Sequence, residues 1–226
     1  MSDDGDVSFE GMKLRAWPRK DLNLRARSSG NRIYASLALQ QGRGLQGRIM
    51  GYRRAAEILA TAMLADSRNI RDLDTVIFPF AACWRHYVEL RLKSLIAQCQ
   101  QLLYLPIEPR GGHNIGQLWS ELRPLLVRAY PGEGKRDLGI VGCLLKQFAQ
   151  MDPDSQDFRY AKRTDGTPTL ADIDHLDICD FHEAMLAVAN YFEAIDSAID
   201  HDKDLKNEAL QYEWEARQEH EQEMRD

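Results

Sequence analysis

Apolar side chains recur at steps of three and four residues along most of this chain, which is the spacing of one face of an α-helix. The pattern predicts helices over residues 45–66, 74–103, 114–130 and 134–150, and a last long helix from about 170 to 201. No segment of strand length alternates apolar and polar residues as clearly. We therefore predict an all-α protein, an antiparallel bundle of four to five helices.

Short polar side chains mark the predicted helix starts, because they accept hydrogen bonds from the free amides of a first helical turn. Asp74 is the predicted cap of the second helix. Asn114, followed three residues later by Gln117, is a predicted capping pair for the third helix. Thr169 and Asp172 form a predicted capping box for the last helix.

The two ends of the chain differ from the helical middle. Residues 1–44 show no sustained period, and the stretches RARSSGNR and QQGRGLQGR, the second of which reaches residue 48, are loop-like. We therefore expect residues 1–44 to form an irregular N-terminal arm that contains one short element. The bundle then spans residues 45–201. Residues 202–226 are acidic and rich in helix formers, and they predict a helical tail that either docks on a partner or extends into solvent.

Composition and charge narrow the class of protein. The chain is 44% hydrophobic and 28% charged, the balance of a globular protein. Its net charge of −6 argues against coating nucleic acid by bulk electrostatics, although the basic residues between 13 and 54 form either a solvated face or a local phosphate contact. No run of about 18 apolar residues occurs, and the first residues are acidic and polar. We expect a cytoplasmic protein with no membrane partner.

The cysteines are widely spaced and lie within apolar helical patterns. We therefore expect reduced thiols in the core rather than disulfides or a CxxC metal site. This expectation agrees with a reducing compartment. The four cysteines are Cys83, Cys99, Cys143 and Cys179.

Metal and cofactor motifs are scarce in the sequence. His175, Cys179 and His182 fall about one turn apart on the predicted last helix, and all three are zinc-competent side chains. One straight helix rarely supplies three ligands with tetrahedral angles, however. The chain also has no Gly-rich phosphate loop, no GxSxG and no HExxH. We predict neither a metal nor a cofactor.

The stretch WRHYVELRLKSLI, residues 84–96, carries an unusual number of ionisable groups for a core helix. Arg85, His86, Glu89 and Lys93 fall on one side at steps of three and four residues, so Glu89 can pair with both Arg85 and Lys93. This side is either a solvated charged face or the wall of a cleft. In a cleft, Glu89 would hold its cations in place for binding a phosphate.

Three further residues are candidates for chemistry. His113 precedes a predicted helix start, where exposed amides favour a phosphate, so it is either part of an anion site or a loop-to-helix cap. Arg159 and Tyr160 lie in a polar loop, as binding residues or as anchors of that loop. Cleavage of RNA without a metal needs a base, an acid and a cation, and histidine and arginine suit these roles.

Three motifs precede the long last helix, in the order Glu89-Leu-Arg-Leu-Lys93, Gly112-His113-Asn-Ile-Gly-Gln-Leu-Trp and Phe158-Arg159-Tyr160. This order resembles the HEPN superfamily over about residues 74–200. The resemblance implies a bundle of four to five helices, commonly a homodimer, from a toxin-antitoxin or antiphage defence system. Many members are metal-independent ribonucleases, and others bind nucleotides or are inactive. The predicted catalytic residues are His113, Arg159 and Glu89, and the predicted ligand-binding residues are Lys93, Arg85, His86 and Tyr160.

Two functions follow from these observations. The first is an effector that binds RNA or a nucleotide and cleaves RNA by a variant mechanism. The second is a helical scaffold that binds a partner protein through its N-terminal arm or residues 203–226. The clustered ionisable groups favour the effector. The absence of the superfamily's Arg-x4-6-His signature favours the scaffold, because Arg159 and Arg163 are both too far from His175.

Overall fold

The computed structural model shows an all-α protein, as predicted. Within the described part of the chain, five helices make up the bundle. They are α1 (Arg43–Ala65), α2 (Ile70–Leu102), α3 (Ile115–Ala129), α4 (Lys135–Met151) and α5 (Ile178–Glu223). The residues described are 6–9, 12–15, 43–107, 111–132 and 134–224.

The N-terminal arm contains a short antiparallel ribbon that belongs to a separate compact unit, Met1–Ala38. Strand β1 (Asp6–Phe9) pairs with β2 (Met12–Arg15). This ribbon occupies part of the predicted irregular arm. The prediction for the rest of the arm, residues 16–42, lies outside the described residues.

Helix α2 is the centre of the bundle and packs against α1, α3 and α5. The apolar side predicted from the sequence is buried as expected, from Phe80 to Leu102. Part of the charged side is buried too, because the loop before α3 and the end of α4 contact Arg85 and Glu89 there. Arg85 and Glu89 are 0% and 2% exposed, so they do not lie on a solvated charged face.

The start of α2 differs from the prediction. Asn69, not Asp74, caps the helix, and its side chain accepts a hydrogen bond from the Asp72 amide at 3.3 Å. Asp74 is exposed and lies within the first turns. The prediction for α3 is confirmed, because Asn114 accepts from the Gln117 amide at 2.9 Å.

The start of α5 also differs, since the helix begins eight residues later than predicted. Asp177 caps it and accepts from the Asp180 amide at 3.0 Å. Thr169 instead donates its hydroxyl to the carbonyl of Tyr160 at 2.6 Å, within a long loop between α4 and α5. The threonine of the predicted capping box thus makes a contact within the loop instead of capping a helix.

Helix α5 continues without a break through the predicted tail and ends at Glu223. Its first half is packed in the bundle, and Lys206 still donates to the Leu102 carbonyl at 2.9 Å. Beyond that point its described side chains are exposed, including Leu210, Tyr212 and Trp214. None of the described helices combines the length and the apolar character that a membrane span requires.

Candidate functional site

A buried carboxylate on α2 gathers two cations and a histidine. We call these four residues the Glu89 network: Arg85, Glu89, Lys93 and His113. Lys93 Nζ and His113 Nδ1 each lie 2.9 Å from Glu89 Oε1, and Arg85 Nη1 lies 3.4 Å from Oε2. The helical spacing of four residues brings Arg85 and Lys93 to Glu89. His113 arrives from the loop before α3.

Arg85 holds this network to the surrounding loops. Its Nε donates to the carbonyl of Asp152 at 3.1 Å, and its Nη2 donates to the carbonyl of His113. The guanidinium is fully buried, so each of these bonds compensates part of the cost of removing its charge from water. Arg85 therefore fixes the end of α4 and the start of α3 against α2.

The network keeps Glu89 ionised. Burial alone would raise the pKa of this carboxyl, but the hydrogen bonds and positive charges of Lys93 and His113 outweigh it, and the pKa lies below its usual value. Burial lowers the pKa of Arg85, which the charges of Asp152 and Glu89 partly offset. Glu89 is therefore an acceptor with no proton to give.

This charge state fixes the orientation of the His113 ring. Because ionised Glu89 only accepts, His113 Nδ1 must carry the hydrogen of their shared bond. In the neutral ring, Nε2 is then an unprotonated base. The side chain is 63% exposed, and Nε2 makes no hydrogen bond to the described residues. A buried carboxylate thus presents an exposed imidazole base to solvent, the arrangement that general-base catalysis uses.

The other predicted residues lie around this network without joining it. His86 is half-buried, its ring meets the Tyr52 ring edge-on at 4.3 Å, and burial lowers its pKa. Arg159 and Tyr160 are both exposed, and the guanidinium of Arg159 lies 5.3 Å from the centre of the Tyr160 ring. Arg159 Nε donates to the carbonyl of Ser155. Within the described residues, no hydrogen bond or ion pair joins Arg159 or Tyr160 to Glu89 or His113.

A second buried carboxylate, absent from the sequence-based candidates, lies nearby in the loop after α4. Asp157 is 4% exposed, and Arg163 Nη2 lies 2.9 and 2.8 Å from its two oxygens. We call this pair the Asp157 pair. Asp152 connects the two regions, because its carboxylate accepts from the Gln156 and Asp157 amides and its carbonyl accepts from Arg85. The sequence predicted only the end of a helix near residue 150 here.

Metal ligands are not assembled where the sequence placed the zinc candidates. His175 precedes α5 and is exposed, so it does not share a helix with Cys179 and His182. The one group of metal-competent side chains in the described ranges is Asp152, Asp154 and Asp157. Its two buried members already accept amide or arginine hydrogen bonds, so these oxygens need no ion.

The cysteines are all free thiols, but the expectation that they lie in the core is correct only for Cys99. Cys83 is half-buried, whereas Cys143 and Cys179 are exposed on the outer faces of their helices. Burial raises the pKa of the Cys99 thiol to about 11, which makes it unreactive.

Comparison with known proteins adds no family to this description. No family model, no curated protein and no solved structure matches the chain. Any function must therefore be inferred from the site itself, and the HEPN resemblance remains a prediction.

Proposed function

We propose that this protein binds RNA at the Glu89 network and cleaves it without a metal, as a HEPN-like effector. The observation that supports the proposal is the exposed His113 ring held by a buried, ionised Glu89. A histidine oriented by a carboxylate is the usual base for removing a proton from a hydroxyl near neutral pH.

The proposed reaction uses the 2′-hydroxyl of the substrate. His113 Nε2 takes the 2′-hydroxyl proton, and the 2′-oxygen attacks the adjacent phosphorus. The bond from phosphorus to the 5′-oxygen breaks, and that oxygen takes a proton from water. The products are a 2′,3′-cyclic phosphate and a 5′-hydroxyl. Lys93, whose side chain is 21% exposed, and exposed Arg159 supply positive charge for the phosphate.

Each predicted residue has a distinct role in this proposal. Glu89 and Arg85 are positioning residues, because both are buried and act through His113 and its loop. His86 and Tyr160 flank the bound strand. His113 takes the role of base in the absence of the Arg-x4-6-His signature. We further propose a homodimer acting in a defence or toxin-antitoxin system, and sedimentation velocity measures the dimer directly.

The test is cleavage of labelled single-stranded RNA by purified protein in excess EDTA. We expect cleavage that leaves 2′,3′-cyclic phosphate ends, and a loss of about 10²-fold or more in His113→Ala. Arg123→Ala, an exposed arginine of α3, is the control for a change in surface charge. Absence of cleavage, or equal cleavage by His113→Ala, would contradict the proposal.

The alternative is a scaffold that binds a partner protein, and one observation favours it. The second half of α5 exposes Leu205, Leu210, Tyr212 and Trp214, which is more apolar surface than a solvated helix needs. A chain ending at Glu208 keeps the Lys206 contact with Leu102 and so should keep its fold. An effector retains RNA cleavage after this truncation. A scaffold has no cleavage to retain and loses its complex.

A further inference from the structure

A cavity of about 830 Å³ lies between the start of α2 and the loop that leads into α5. Its walls are mostly apolar, with Ile77 and Phe78 on one side and Leu170, Ile173 and Leu176 on the other. This volume is within the range of roughly 300–1,000 Å³ that is usual for small-molecule sites. Phe78 is 45% exposed, so a large aromatic ring is left uncovered at this site.

Polar groups lie at several points of the cavity wall. They include Arg159 and Tyr160 from the loop, and the carboxylates of Asp74 and Asp174. Within the described residues, no carboxylate pairs with Arg159, and the one hydrogen bond that its side chain makes there uses Nε. Its terminal nitrogens therefore remain available to an anion, in the fork geometry that suits a phosphate.

Arg159 also connects the cavity to the Glu89 network. Arg85 donates to the carbonyl of Asp152 and Arg159 donates to that of Ser155, so both arginines hold the same short turn. Burial lowers the pKa of Arg85, and the nearby charge of Arg159 lowers it further. The cavity and the Glu89 network therefore share the turn after α4.

We propose that this cavity is a base pocket that holds a nucleoside phosphate, with the phosphate on Arg159 and the base against Tyr160 and Phe78. A nucleobase is flat and apolar on its faces, which matches the walls, and aromatic side chains stack on any base. The edge of the base carries N–H groups that can donate hydrogen bonds to Asp74 or Asp174. The inference rests on the proposed function, because the nucleoside phosphate that the pocket would hold is the repeating unit of the proposed RNA substrate.

The probes are the four nucleoside monophosphates, titrated into the full-length protein by calorimetry, with a nucleoside and inorganic phosphate alongside. Arg159→Ala removes the proposed phosphate contact. Ala161→Trp fills the cavity from an exposed wall position, so it leaves the core intact. Arg123→Ala removes the same charge from α3, away from the pocket. Circular dichroism and thermal unfolding verify that each variant is folded.

We expect at least one monophosphate to bind more tightly than its nucleoside or phosphate alone. Its affinity should fall about tenfold or more in Arg159→Ala and Ala161→Trp, and stay unchanged in Arg123→Ala. Displacement by single-stranded RNA identifies RNA as the source of the nucleotide, and absence of displacement identifies a free nucleotide. Either result supports the pocket.

The proposed pocket and the proposed cleavage mechanism can be disproved independently of each other. No binding at millimolar monophosphate, or binding that Ala161→Trp leaves unchanged, overturns the pocket even if RNA is cleaved. Monophosphate binding with the expected variant pattern supports the pocket even if no RNA is cleaved. His113→Ala should retain monophosphate binding, because His113 does not line the cavity.

Discussion

Glu89 and Asp157 are both buried carboxylates that pair with an arginine, but they differ in what else they bind. Asp157 is bound by Arg163, which keeps its charge at any ordinary pH. Glu89 binds buried Arg85 and also an exposed histidine. A buried ion pair is structural by default. It can take part in chemistry when one of its partners is an exposed histidine with a free ring nitrogen.

The largest expected effect is on stability. Glu89→Ala removes the closer of the two carboxylates beside buried Arg85, at 3.4 Å against 3.9 Å for Asp152, and should lower the free energy of unfolding by about 3 kcal/mol. Glu89→Gln keeps the shape of the side chain and one acceptor oxygen, so it should lose clearly less stability than Glu89→Ala. Urea unfolding followed by circular dichroism measures both. Equal stability of Glu89→Ala and wild type would mean that the network does not hold the fold.

The next effect separates the two carboxylates by function. Asp157→Asn weakens its pairing with Arg163 and should destabilise the loop after α4, but it leaves His113 in place. RNA cleavage should stay within about twofold of wild type once measured below the unfolding temperature. The same assay on Glu89→Gln should show a loss of about tenfold or more, because the orienting charge is gone. If Asp157→Asn and Glu89→Gln lose RNA cleavage to the same extent, the two carboxylates do not differ in function.

Stability at acid pH should differ between two carboxyls that both contact Arg85. The folded pKa of Glu89 is lowered, so its stabilisation is present above the unfolded pKa and is lost as pH falls through the folded pKa. Burial raises the folded pKa of Asp152, only partly offset by hydrogen bonds and Arg85, so its ionised form costs stability and that cost is relieved as pH falls. Between about pH 5 and 3, Glu89→Gln should therefore lose less stability than wild type, and Asp152→Asn should lose more.

Unfolding free energies measured in urea across this pH range verify the two signs. If Glu89→Gln lost more stability than wild type as pH falls, the neighbours of Glu89 would not be what keeps it ionised. Asp152→Asn is a suitable comparison because its side-chain oxygen still accepts from the Gln156 and Asp157 amides.

The smallest effect concerns Lys93, whose amine is partly exposed. Lys93→Met removes one ion pair and should cost about 0.5–1 kcal/mol of stability. RNA affinity should fall severalfold and become less dependent on salt, because one phosphate-neutralising charge is lost. Filter binding at two salt concentrations measures this. An unchanged salt dependence would remove Lys93 from the RNA site.

The helices and two contacts of the site could be predicted from the sequence, because they depend on local spacing. The apolar period located α1 to α4 within a few residues, and four-residue steps placed Arg85 and Lys93 beside Glu89. The capping box at Thr169 was wrong because the choice between it and Asp177 depends on loop contacts.

Long-range parts of the site were not predictable in the same way. The contact between His113 and Glu89 spans 24 residues and depends on where the loop before α3 crosses α2. The burial of Arg85 depends on two backbone carbonyls that no side-chain pattern reveals. The cavity beside Arg159 forms only because the loop between α4 and α5 folds back on the start of α2.

Long-range nitrogen–proton NMR correlations show directly which nitrogen of the His113 ring carries the proton. We expect neutral His113 to carry it on Nδ1, toward Glu89, with Nε2 unprotonated and facing solvent. Titration with single-stranded RNA should then shift the Nε2 resonance first among the histidines. A proton on Nε2, or a His113 resonance that does not shift when RNA is added, would contradict the claim that Glu89 orients His113 as the catalytic base.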